Sequence, residues 1–380
     1  MKTIEGYISH GLDYEGYLEP EITSNDTYPD YIRAEVEETV EAVQKIQGYN
    51  TATFGFMTDP HYATKFKYTH LIRLRRTLNA YKMISQRAQS DFLVIGGDLF
   101  TNGTKKYVSD CLREFRAELN GIRYMPVNGN HDDNSIWDIA CIKSEKAENH
   151  LTPEERYTLF FNHLYENGAV FNEKNKGLYY YTDNRSAKVR YIFLDSIDIP
   201  YEYDENGSLL YSGQGFYDYS KDQLDWLIND ALNFNETGWG VVIFQHVPPI
   251  VLNRDLGENL SRISVIHDIL KARSLKQNID FEHGEGRFKK RITADFSNYK
   301  SCDIIAVITG HIHSDESRKV DNIQYISTMN SVMYVNGGNP LMRFDGTKNE
   351  ILFDIGTINR KERTLTLTRV GAGEDRVFSF

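Results

Sequence analysis

Cysteine is scarce in this sequence, with three residues, Cys111, Cys141 and Cys302, in a chain of 380. Their odd number and the lack of Cys-x-x-Cys spacing argue against a disulfide framework and against a thiolate zinc site. Glu5 and Gly6 stand where a secretory signal would carry its apolar stretch. We therefore expect a cytoplasmic protein in a reducing compartment.

Long apolar runs and a surplus of basic residues are also lacking. No window approaches the roughly 18 apolar residues of a membrane-spanning helix, so a membrane is not an expected partner. The net charge is -11 and the pI about 5.5, whereas duplex nucleic acid and anionic lipid are bound through a basic face. Duplex nucleic acid is therefore not an expected partner either, and the sequence leaves the oligomeric state open.

A rhythm of short apolar runs and longer amphipathic stretches begins at residue 50. The runs are TATFGFMT, FLVIGG, IRYMPVNG, VRYIFLDS, WGVVIFQ and DIIAVITG. Between them, helices are predicted at about 67–88, 106–119, 153–167, 221–234 and 261–272. Strands that alternate with helices predict an α/β fold in which helices cover the faces of the sheet.

The chain is predicted to have three parts. They are an N-terminal extension (1–49), a main domain (50–345) and a C-terminal β segment (346–380). In the extension, Val36, Val40 and Val43 have helical spacing and predict a helix that packs on the main domain. The C-terminal segment alternates apolar and polar residues, which predicts antiparallel strands joined by a turn at 359–361.

Polar residues follow five of the apolar runs directly. In chain order they are Asp59 and His61, then Asp98, then Asn130, His131 and Asp132, then His246, and finally His311 and His313. In an α/β sheet the carboxyl ends of the strands converge on one crevice. The stretch VNGNHDDN alone is more typical of a polar turn that caps the next helix. All five groups in this order favour a site with two metal ions.

The spacing and the types of these side chains suit such a site. Residues i and i+2 of an extended segment point to the same side, so Asp59 and His61 can serve one metal ion or two neighbouring ions. The pair His311 and His313 has the same spacing. A carboxylate can bridge two cations, and Asp98 is the predicted bridge. Imidazole, carboxylate and carboxamide ligands suit Mn, Fe, Zn or Ni, so the predicted cofactors are two divalent transition-metal ions.

Five short motifs occur in the order Asp-x-His, Gly-Asp, Gly-Asn-His-Asp, a lone His and Gly-His-x-His. This order resembles the pattern of the calcineurin-like metallophosphoesterase superfamily, over residues 52 to about 330. The resemblance implies a four-layer α-β-β-α sandwich, with two mixed sheets face to face and the metal site at the carboxyl ends of strands. The implied ligands are Asp59, His61 and His313 for one ion, Asn130, His246 and His311 for the other, and Asp98 for both. His131 is implied to face the substrate without binding metal.

The predicted function is the metal-dependent hydrolysis of a small phosphodiester or phosphomonoester. Two cations that share Asp98 would also share a water and lower its pKa, which gives a hydroxide placed to attack phosphorus. His131 would then protonate the leaving oxygen as a general acid. Asp132 would either orient that imidazole or cap the following helix.

Two other functions stay open, a nuclease acting on single strands or nucleotides and a non-catalytic binding module that keeps the fold. A module would have no use for His131 as a proton donor. Asp98 is followed by Leu-Phe-Thr-Asn-Gly-Thr and not by the Asp-Arg-Gly segment of protein Ser/Thr phosphatases, which disfavours a phosphoprotein substrate. The tail RVGAGEDRVFSF resembles uncharacterised phosphoesterases of Gram-positive bacteria and their phages, and supplies no substrate.

Two segments do not fit the strand and helix rhythm. Residues 135–188 form a long mixed insertion between two strands, and residues 278–292 form a polar loop. Loops of this length in a compact domain are more often functional than neutral. Because the strand ends are committed to metal and phosphate, we predict that these two segments choose the substrate.

Overall fold

The computed structural model describes residues 23–63, 67–135, 147–172, 177–252, 259–331 and 343–380. In chain order its strands are β1 (Thr51–Met57), β2 (Leu93–Ile95), β3 (Tyr124–Pro126), β4 (Val170–Phe171), β5 (Tyr180–Asn184), β6 (Val189–Phe193), β7 (Trp239–Phe244), β8 (Asn278–His283), β9 (Lys290–Asp295), β10 (Cys302–Thr309), β11 (Glu316–Val320), β12 (Ile323–Ser327), β13 (Leu352–Asn359), β14 (Thr364–Gly371) and β15 (Arg376–Ser379). Each of the six apolar runs contains a strand, as predicted.

The helices also follow the predicted pattern. They are α1 (Ser24–Thr27), α2 (Asp30–Ile46), α3 (Lys67–Ala88), α4 (Lys105–Glu118), α5 (Pro153–Arg156), α6 (Lys221–Trp226), α7 (Asn259–Ile263) and α8 (Val265–Leu275). α5 continues into a π turn (Tyr157–Phe161) and a 3-10 turn (Asn162–Tyr165), and α6 continues into a π turn (Leu227–Ala231). Further 3-10 turns lie at Gly286–Phe288 and Lys348–Glu350. The helix predicted at 261–272 is divided between α7 and α8.

The first sheet carries three of the predicted site loops. Its strand order is β15-β14-β13-β1-β2-β3, with β1, β2 and β3 parallel and the other neighbours antiparallel. The turn predicted at 359–361 follows β13 and leads into β14, as expected. Because β13 pairs with β1, the C-terminal β segment supplies strands to the sheet of the main domain.

The second sheet carries the other two site loops. Its strand order is β11-β12-β10-β7-β6-β5-β4, and β6, β7, β10 and β12 are parallel. The inner faces of the two sheets meet through aromatic rings, since Phe54 of β1 lies 5.1 Å from Phe244 of β7 and 5.8 Å from Tyr191 of β6, between ring centroids. α2 and α3 pack on the first sheet and α8 on the second. The predicted α/β fold with two mixed sheets and covering helices is confirmed.

The predicted N-terminal helix is present as α2. Val36, Val40 and Val43 are buried on its inner face. Glu35 on the same helix accepts a hydrogen bond from the backbone N–H of Gly371 (2.8 Å), in β14. The helix therefore packs on the core, as its apolar spacing predicts. Within the described residues, no helix has the length and apolar character needed to cross a membrane.

The prediction of a polar loop at 278–292 is wrong, because β8 and β9 pair there as an antiparallel hairpin. Ile279 and Phe281 alternate with exposed polar residues and pack against the core of the second sheet. A period of two is the pattern of a strand on a surface, and the many charged residues conceal it.

The insertion predicted at 135–188 also contains regular structure, since β5 pairs with β6 in the second sheet. Residues 136–146 and 173–176 of that insertion lie outside the described part of the chain.

Candidate metal centre

The loops that follow five parallel strands meet at one edge of the two sheets. They follow β1, β2 and β3 in the first sheet and β7 and β10 in the second. Backbone hydrogen bonds join neighbouring loops, from Asp59 N–H to Gly97 C=O (3.0 Å) and from Gly310 N–H to His246 C=O (3.0 Å). Together the loops bring close all seven side chains predicted to bind metal, which are Asp59, His61, Asp98, Asn130, His246, His311 and His313.

Among the residues that the structure describes, two groups of side chains have their possible ligand atoms within 4.8 Å of one another. The first group is Asp59, His61 and His313. Nε2 of His313 lies 3.0 Å from Oδ1 of Asp59 and 3.3 Å from Nε2 of His61. Two ring nitrogens and one carboxylate oxygen thus face a common point.

The second group is Asp98, His246 and His311, and Asn130 joins it. Oδ1 of Asn130 lies 3.0 Å from Nε2 of His246 and 2.9 Å from Nδ1 of His311. Nε2 of His246 also lies 3.2 Å from Oδ2 of Asp98. The carboxamide oxygen, the carboxylate and the two rings therefore converge on a second point beside the first.

Asp98 lies between the two groups. Its Oδ2 is 3.2 Å from Nε2 of His246 and 3.7 Å from Nε2 of His61. Its Oδ1 points away and accepts a hydrogen bond from the backbone N–H of His131 (2.8 Å). One oxygen of this carboxylate is therefore in reach of both groups while the other is held by the backbone.

Burial and charge decide how protons are distributed over the centre. Burial lowers the pKa of His61 to about 3, so this ring is neutral. Burial opposes charge on His246 as well, but Asp98 and Asp59 outweigh it and raise the pKa of His246 to about 10. Burial likewise opposes charge on Asp59, but His313 and His246 outweigh it and lower the pKa of Asp59 to about 2. The buried carboxylates therefore hold their charge only with positive charge beside them.

This set of donor atoms fits two divalent cations. Neutral imidazole, carboxylate and a carboxamide oxygen are ligands that suit Mn, Fe, Zn and Ni. Nδ1–H of His246 donates to the backbone oxygen of Gly96 (2.8 Å), so a cation bound at Nε2 would take the place of the proton that this ring holds beside Asp98. Nε2 of His61 and Nε2 of His313 lie 3.3 Å apart beside the Asp59 carboxylate. A cation among these three side chains would be bound by both rings and the carboxylate.

The backbone at these side chains is left-handed, so the prediction of extended Asp-x-His and His-x-His segments is wrong. The positive φ values are 51° at Asp59, 39° at His61, 53° at Asp98, 68° at His311 and 53° at His313. A left-handed residue other than glycine costs about 1–3 kcal/mol, and such residues cluster at functional sites. The chain turns at each of these positions, which aims the side chain inward from a loop that continues in another direction.

Two glycines allow the loops to approach this closely. A Cβ atom on Gly129 would lie 2.0 Å from the backbone nitrogen of Asp98, and one on Gly310 would lie 2.5 Å from Oδ2 of Asp59. Neither distance leaves room for a side chain. Glycine is therefore required for steric reasons at the positions before Asn130 and His311.

His131 lies at the open side of the centre. Its side chain is 23% exposed, and its Nε2 is 3.9 Å from Oδ2 of Asp98. Its Nδ1 is hydrogen-bonded to Oδ1 of Asn102. The amide nitrogen of Asn102 donates to the backbone oxygen of His131 (3.2 Å) and to Oδ1 of Asn134 (3.2 Å), which fixes the amide oxygen towards the ring. Nδ1 therefore carries a hydrogen, and Nε2 is the ring nitrogen on the side of Asp98.

The prediction that Asp132 orients the imidazole of His131 or caps the following helix is wrong. Oδ2 of Asp132 accepts hydrogen bonds from the backbone N–H groups of Gly129 (2.7 Å) and Asp98 (3.1 Å), and Oδ1 accepts one from Leu99 (2.7 Å). These bonds reach back to the preceding loops and not forward to a helix. Burial and the charge of Asp98 raise the pKa of Asp132 to about 7. Asp132 thus joins the loop after β2 to the loop after β3, and the side chain hydrogen-bonded to the imidazole is that of Asn102.

A buried arginine supports the loop after β3. Nη1 of Arg156 donates to Oδ1 of Asn128 (2.6 Å), and Nη2 donates to the hydroxyl of Tyr201 (2.7 Å). That hydroxyl donates to Oδ2 of Asp133 (3.1 Å). Arg156 belongs to the predicted insertion, so part of the insertion supports the centre. No motif in the sequence marks these contacts. The same is true of Asn102, and of Gln214 and Tyr217, which are hydrogen-bonded to Asn130 and His311.

Comparison with known proteins adds a family and a fold. A family model described as calcineurin-like phosphoesterase matches residues 52–315. A dimetal phosphatase from Danio rerio is similar in structure, with a TM-score of 0.53 and 15% identity over 87% of this chain and 99% of that chain. GAP50, the anchor in the inner membrane complex of Plasmodium, has a TM-score of 0.43 and 12% identity over 87% of this chain and 90% of that chain. No curated protein sequence matches the chain.

Proposed function

This chain belongs to the calcineurin-like phosphoesterase family, and on that basis we propose that it hydrolyses a small phosphate ester with two divalent metal ions as cofactors. The position of Asp98 supports this best, because one of its oxygens lies 3.7 Å from a histidine of the first group and 3.2 Å from a histidine of the second. In this proposal the first ion is held by Asp59, His61 and His313, the second by Asn130, His246 and His311, and both by Asp98. The ester is a phosphodiester or a phosphomonoester.

The side chains of this protein have separate tasks in the proposed reaction. When bound, the two ions supply positive charge that lowers the pKa of the attacking water and stabilises the phosphoryl oxygens. His131 holds a proton on Nε2 and gives it to the leaving oxygen. Asn102 keeps the other ring nitrogen protonated through its hydrogen bond to Nδ1. Asp132 holds the loops of Asp98 and His131 together through backbone N–H groups.

The substrate approaches from the side on which the centre is exposed. The side chains of His61, His313 and His131 are 11%, 16% and 23% exposed, whereas those of Asp59 and His246 are fully buried. A phosphate at the centre therefore has its leaving group on the side of His131. This order of exposure agrees with a proton donor beside the two metal sites.

We predict that the protein, loaded with Mn²⁺ or Zn²⁺, carries two ions per chain and hydrolyses a chromogenic phosphate ester. Chelation should abolish the activity and added metal should restore it. Elemental analysis and a turnover assay on a panel of monoesters and diesters measure both. One ion or none on the folded protein contradicts the two-metal proposal. Two ions without turnover on any ester favours the binding module, and a preference for single-stranded oligonucleotides favours the nuclease.

The β8–β9 hairpin is proposed to contribute to the choice of substrate. Phe288, in the turn of the hairpin, stacks on Phe216 with ring centroids 5.9 Å apart and meets Tyr211 edge-on at 4.9 Å. Phe216 follows two residues after Gln214, whose side chain is hydrogen-bonded to Asn130. The turn of the hairpin is thus connected to the second ligand group through one short segment, and its half-buried aromatic rings are proposed to contact a planar group of the ester.

Phe288→Ala is expected to lower kcat/KM about 3- to 10-fold for esters with an aromatic group, since an aromatic pair contributes about 0.5–1.5 kcal/mol. Esters with a small alkyl group should change little, and the metal content should stay at the wild-type value. Glu285→Ala, at an exposed position of the same turn, is the matched control. An unchanged ranking of esters in the Phe288 variant contradicts a role of the hairpin in specificity.

A further inference from the structure

A short segment between β6 and α6 contacts two of the side chains proposed to hold the second metal ion. This segment, residues 212–217, has the sequence SGQGFY. Its Gln214 is hydrogen-bonded to Asn130, and its Tyr217 is hydrogen-bonded to His311. It lies more than 80 positions after Asn130 and more than 90 positions before His311 in the chain. The contacts therefore result from the fold and not from any motif.

The contact with Asn130 decides which end of its carboxamide faces the centre. Oδ1 of Asn130 faces His246 and His311, at 3.0 and 2.9 Å. Nδ2 of Asn130 donates a hydrogen bond to Oε1 of Gln214 (2.9 Å). If the carboxamide of Asn130 turned over while Gln214 kept its orientation, the NH₂ group of Asn130 would face the cation and two oxygen atoms would face each other. Because only the oxygen can bind a metal ion, the acceptor on Gln214 favours the ligating orientation.

The contact with His311 decides which ring nitrogen carries the hydrogen. The hydroxyl of Tyr217 donates to the backbone oxygen of Gln214 (3.2 Å). A hydroxyl oxygen can accept while its hydrogen is donated, and the oxygen of Tyr217 lies 3.4 Å from Nε2 of His311. The tyrosine ring also meets the histidine ring edge-on, with centroids 5.3 Å apart. A hydrogen on Nε2 leaves the lone pair on Nδ1, the nitrogen that faces Asn130 and the centre.

The segment is held firmly against the loop after β3. The backbone N–H of Gly213 donates to Oδ2 of Asp133 (3.0 Å) and to Oγ of Ser135 (3.0 Å). A Cβ atom on Gly213 would lie 2.7 Å from Oδ2 of Asp133 and 2.9 Å from the backbone oxygen of Asn130. Only glycine allows this approach. The backbone next to Gln214 is thus held against the loop that carries Asn130.

We propose that Gln214 and Tyr217 are positioning residues that select the metal-binding states of Asn130 and His311, and so act on the second metal ion and not on the first. This inference rests on the proposed function, because it requires a two-metal centre. Both ligands that the segment touches belong to the second group, whereas Asp59, His61 and His313 form the first. Hydrogen bonds that orient metal ligands typically change metal affinity 10- to 100-fold when they are removed.

Three variants of the full chain separate positioning from general stability. Gln214→Leu removes the acceptor, whereas Gln214→Glu keeps an oxygen that accepts from Nδ2 of Asn130. Tyr217→Phe removes the hydroxyl and keeps the ring against His311. Tyr211→Phe, which removes a hydroxyl from a ring packed on Phe216 and Phe288, is the control for the tyrosine change. Gln214 is exposed, so its replacement is not expected to prevent folding.

Mn²⁺ binding to the metal-free protein, measured by calorimetry, tests the inference. In a His61→Ala background, which leaves the second site, Gln214→Leu and Tyr217→Phe should each weaken binding about 10- to 100-fold. Gln214→Glu and Tyr211→Phe should stay within about threefold of the background, well below that span. In a His311→Ala background, which leaves the first site, none of the four changes should alter the affinity.

Each other outcome overturns the inference. Equal weakening in both backgrounds means that the segment supports the whole centre, and no weakening in the His61→Ala background means that it does not position the ligands. If the Gln214→Glu variant binds Mn²⁺ as weakly as the Gln214→Leu variant, the hydrogen-bond acceptor at position 214 does not determine the affinity of the second site. A wild-type protein that binds fewer than two Mn²⁺ ions overturns the proposed function, and the inference that rests on it falls with it.

Discussion

Asp98→Asn is expected to remove both metal ions and to lower kcat/KM at least about 10³-fold. The carboxylate is in reach of both groups, with Oδ2 3.7 Å from Nε2 of His61 and 3.2 Å from Nε2 of His246. A bound metal ion contributes several kcal/mol of charge stabilisation in the transition state, and about 4 kcal/mol corresponds to about 10³-fold in rate. An amide has the size of the carboxylate without its charge, and its oxygen can still accept from His131 N–H. The loss would then be due to charge and not to a collapsed loop.

Variants of residues that belong to only one of the two ligand groups provide the comparison for Asp98→Asn. His61→Ala removes a member of the first group and His246→Ala a member of the second, so each variant should keep one ion per chain. Elemental analysis after dialysis against Mn²⁺ counts the ions, and circular dichroism shows whether each variant is folded. If His61→Ala or His246→Ala lost both ions while Asp98→Asn kept both, Asp98 would not be the bridge.

His131→Ala is expected to keep both metal ions and to lose activity according to the leaving group. An alkyl or ribose oxygen leaves poorly as an anion, so its ester should slow by about 10²- to 10⁴-fold without the proton donor. A nitrophenolate leaves readily as an anion, and its ester should lose much less. The Nε2 nitrogen of His131 is suited to this role because the ring is partly exposed and its Nδ1 is already hydrogen-bonded to Asn102.

The rival role for His131 is electrostatic stabilisation of the transition state, which predicts a similar loss for both kinds of ester. Kinetics of the variant on one alkyl ester and one nitrophenyl ester, after the metal content has been measured, distinguish the two roles.

Asn102→Ala should show a weaker form of the same dependence on the leaving group, because the His131 ring that carries the proton is then no longer held by the hydrogen bond to Nδ1. Loss of a metal ion from His131→Ala would make His131 a ligand.

Much of the fold followed from the sequence because its strands and helices have strong, regular apolar patterns. The six apolar runs contain strands and the five amphipathic stretches contain helices. The β8–β9 hairpin was missed because its apolar residues, Ile279 and Phe281, stand among charged neighbours on an exposed surface. The local alternation was present, but polar composition concealed it.

The candidate ligands were predictable because they directly follow parallel strands, and the carboxyl ends of such strands meet by geometry. Their left-handed backbone was not predictable, since nothing in Asp-x-His or His-x-His distinguishes it from an extended segment. The residues that orient the ligands were also missed. Asn102 stands in the same loop as Asp98 but no motif marks it, and Gln214 and Tyr217 come from a distant segment that only the folded chain brings to the centre.

The pairing of β1 with β13 decides when during protein synthesis this centre can form. Residues 51–56 of β1 pair with residues 354–359 of β13, which the ribosome adds about 300 residues later. At about 5–20 residues per second, this interval is about 15 to 60 seconds. Throughout it, one edge of the strand that leads to Asp59 and His61 lacks its partner and is open to aggregation or to a chaperone. Because the first sheet is incomplete until β13 is made, we expect its ligand loops to gain their final positions late in synthesis, and the proposed uptake of metal to follow.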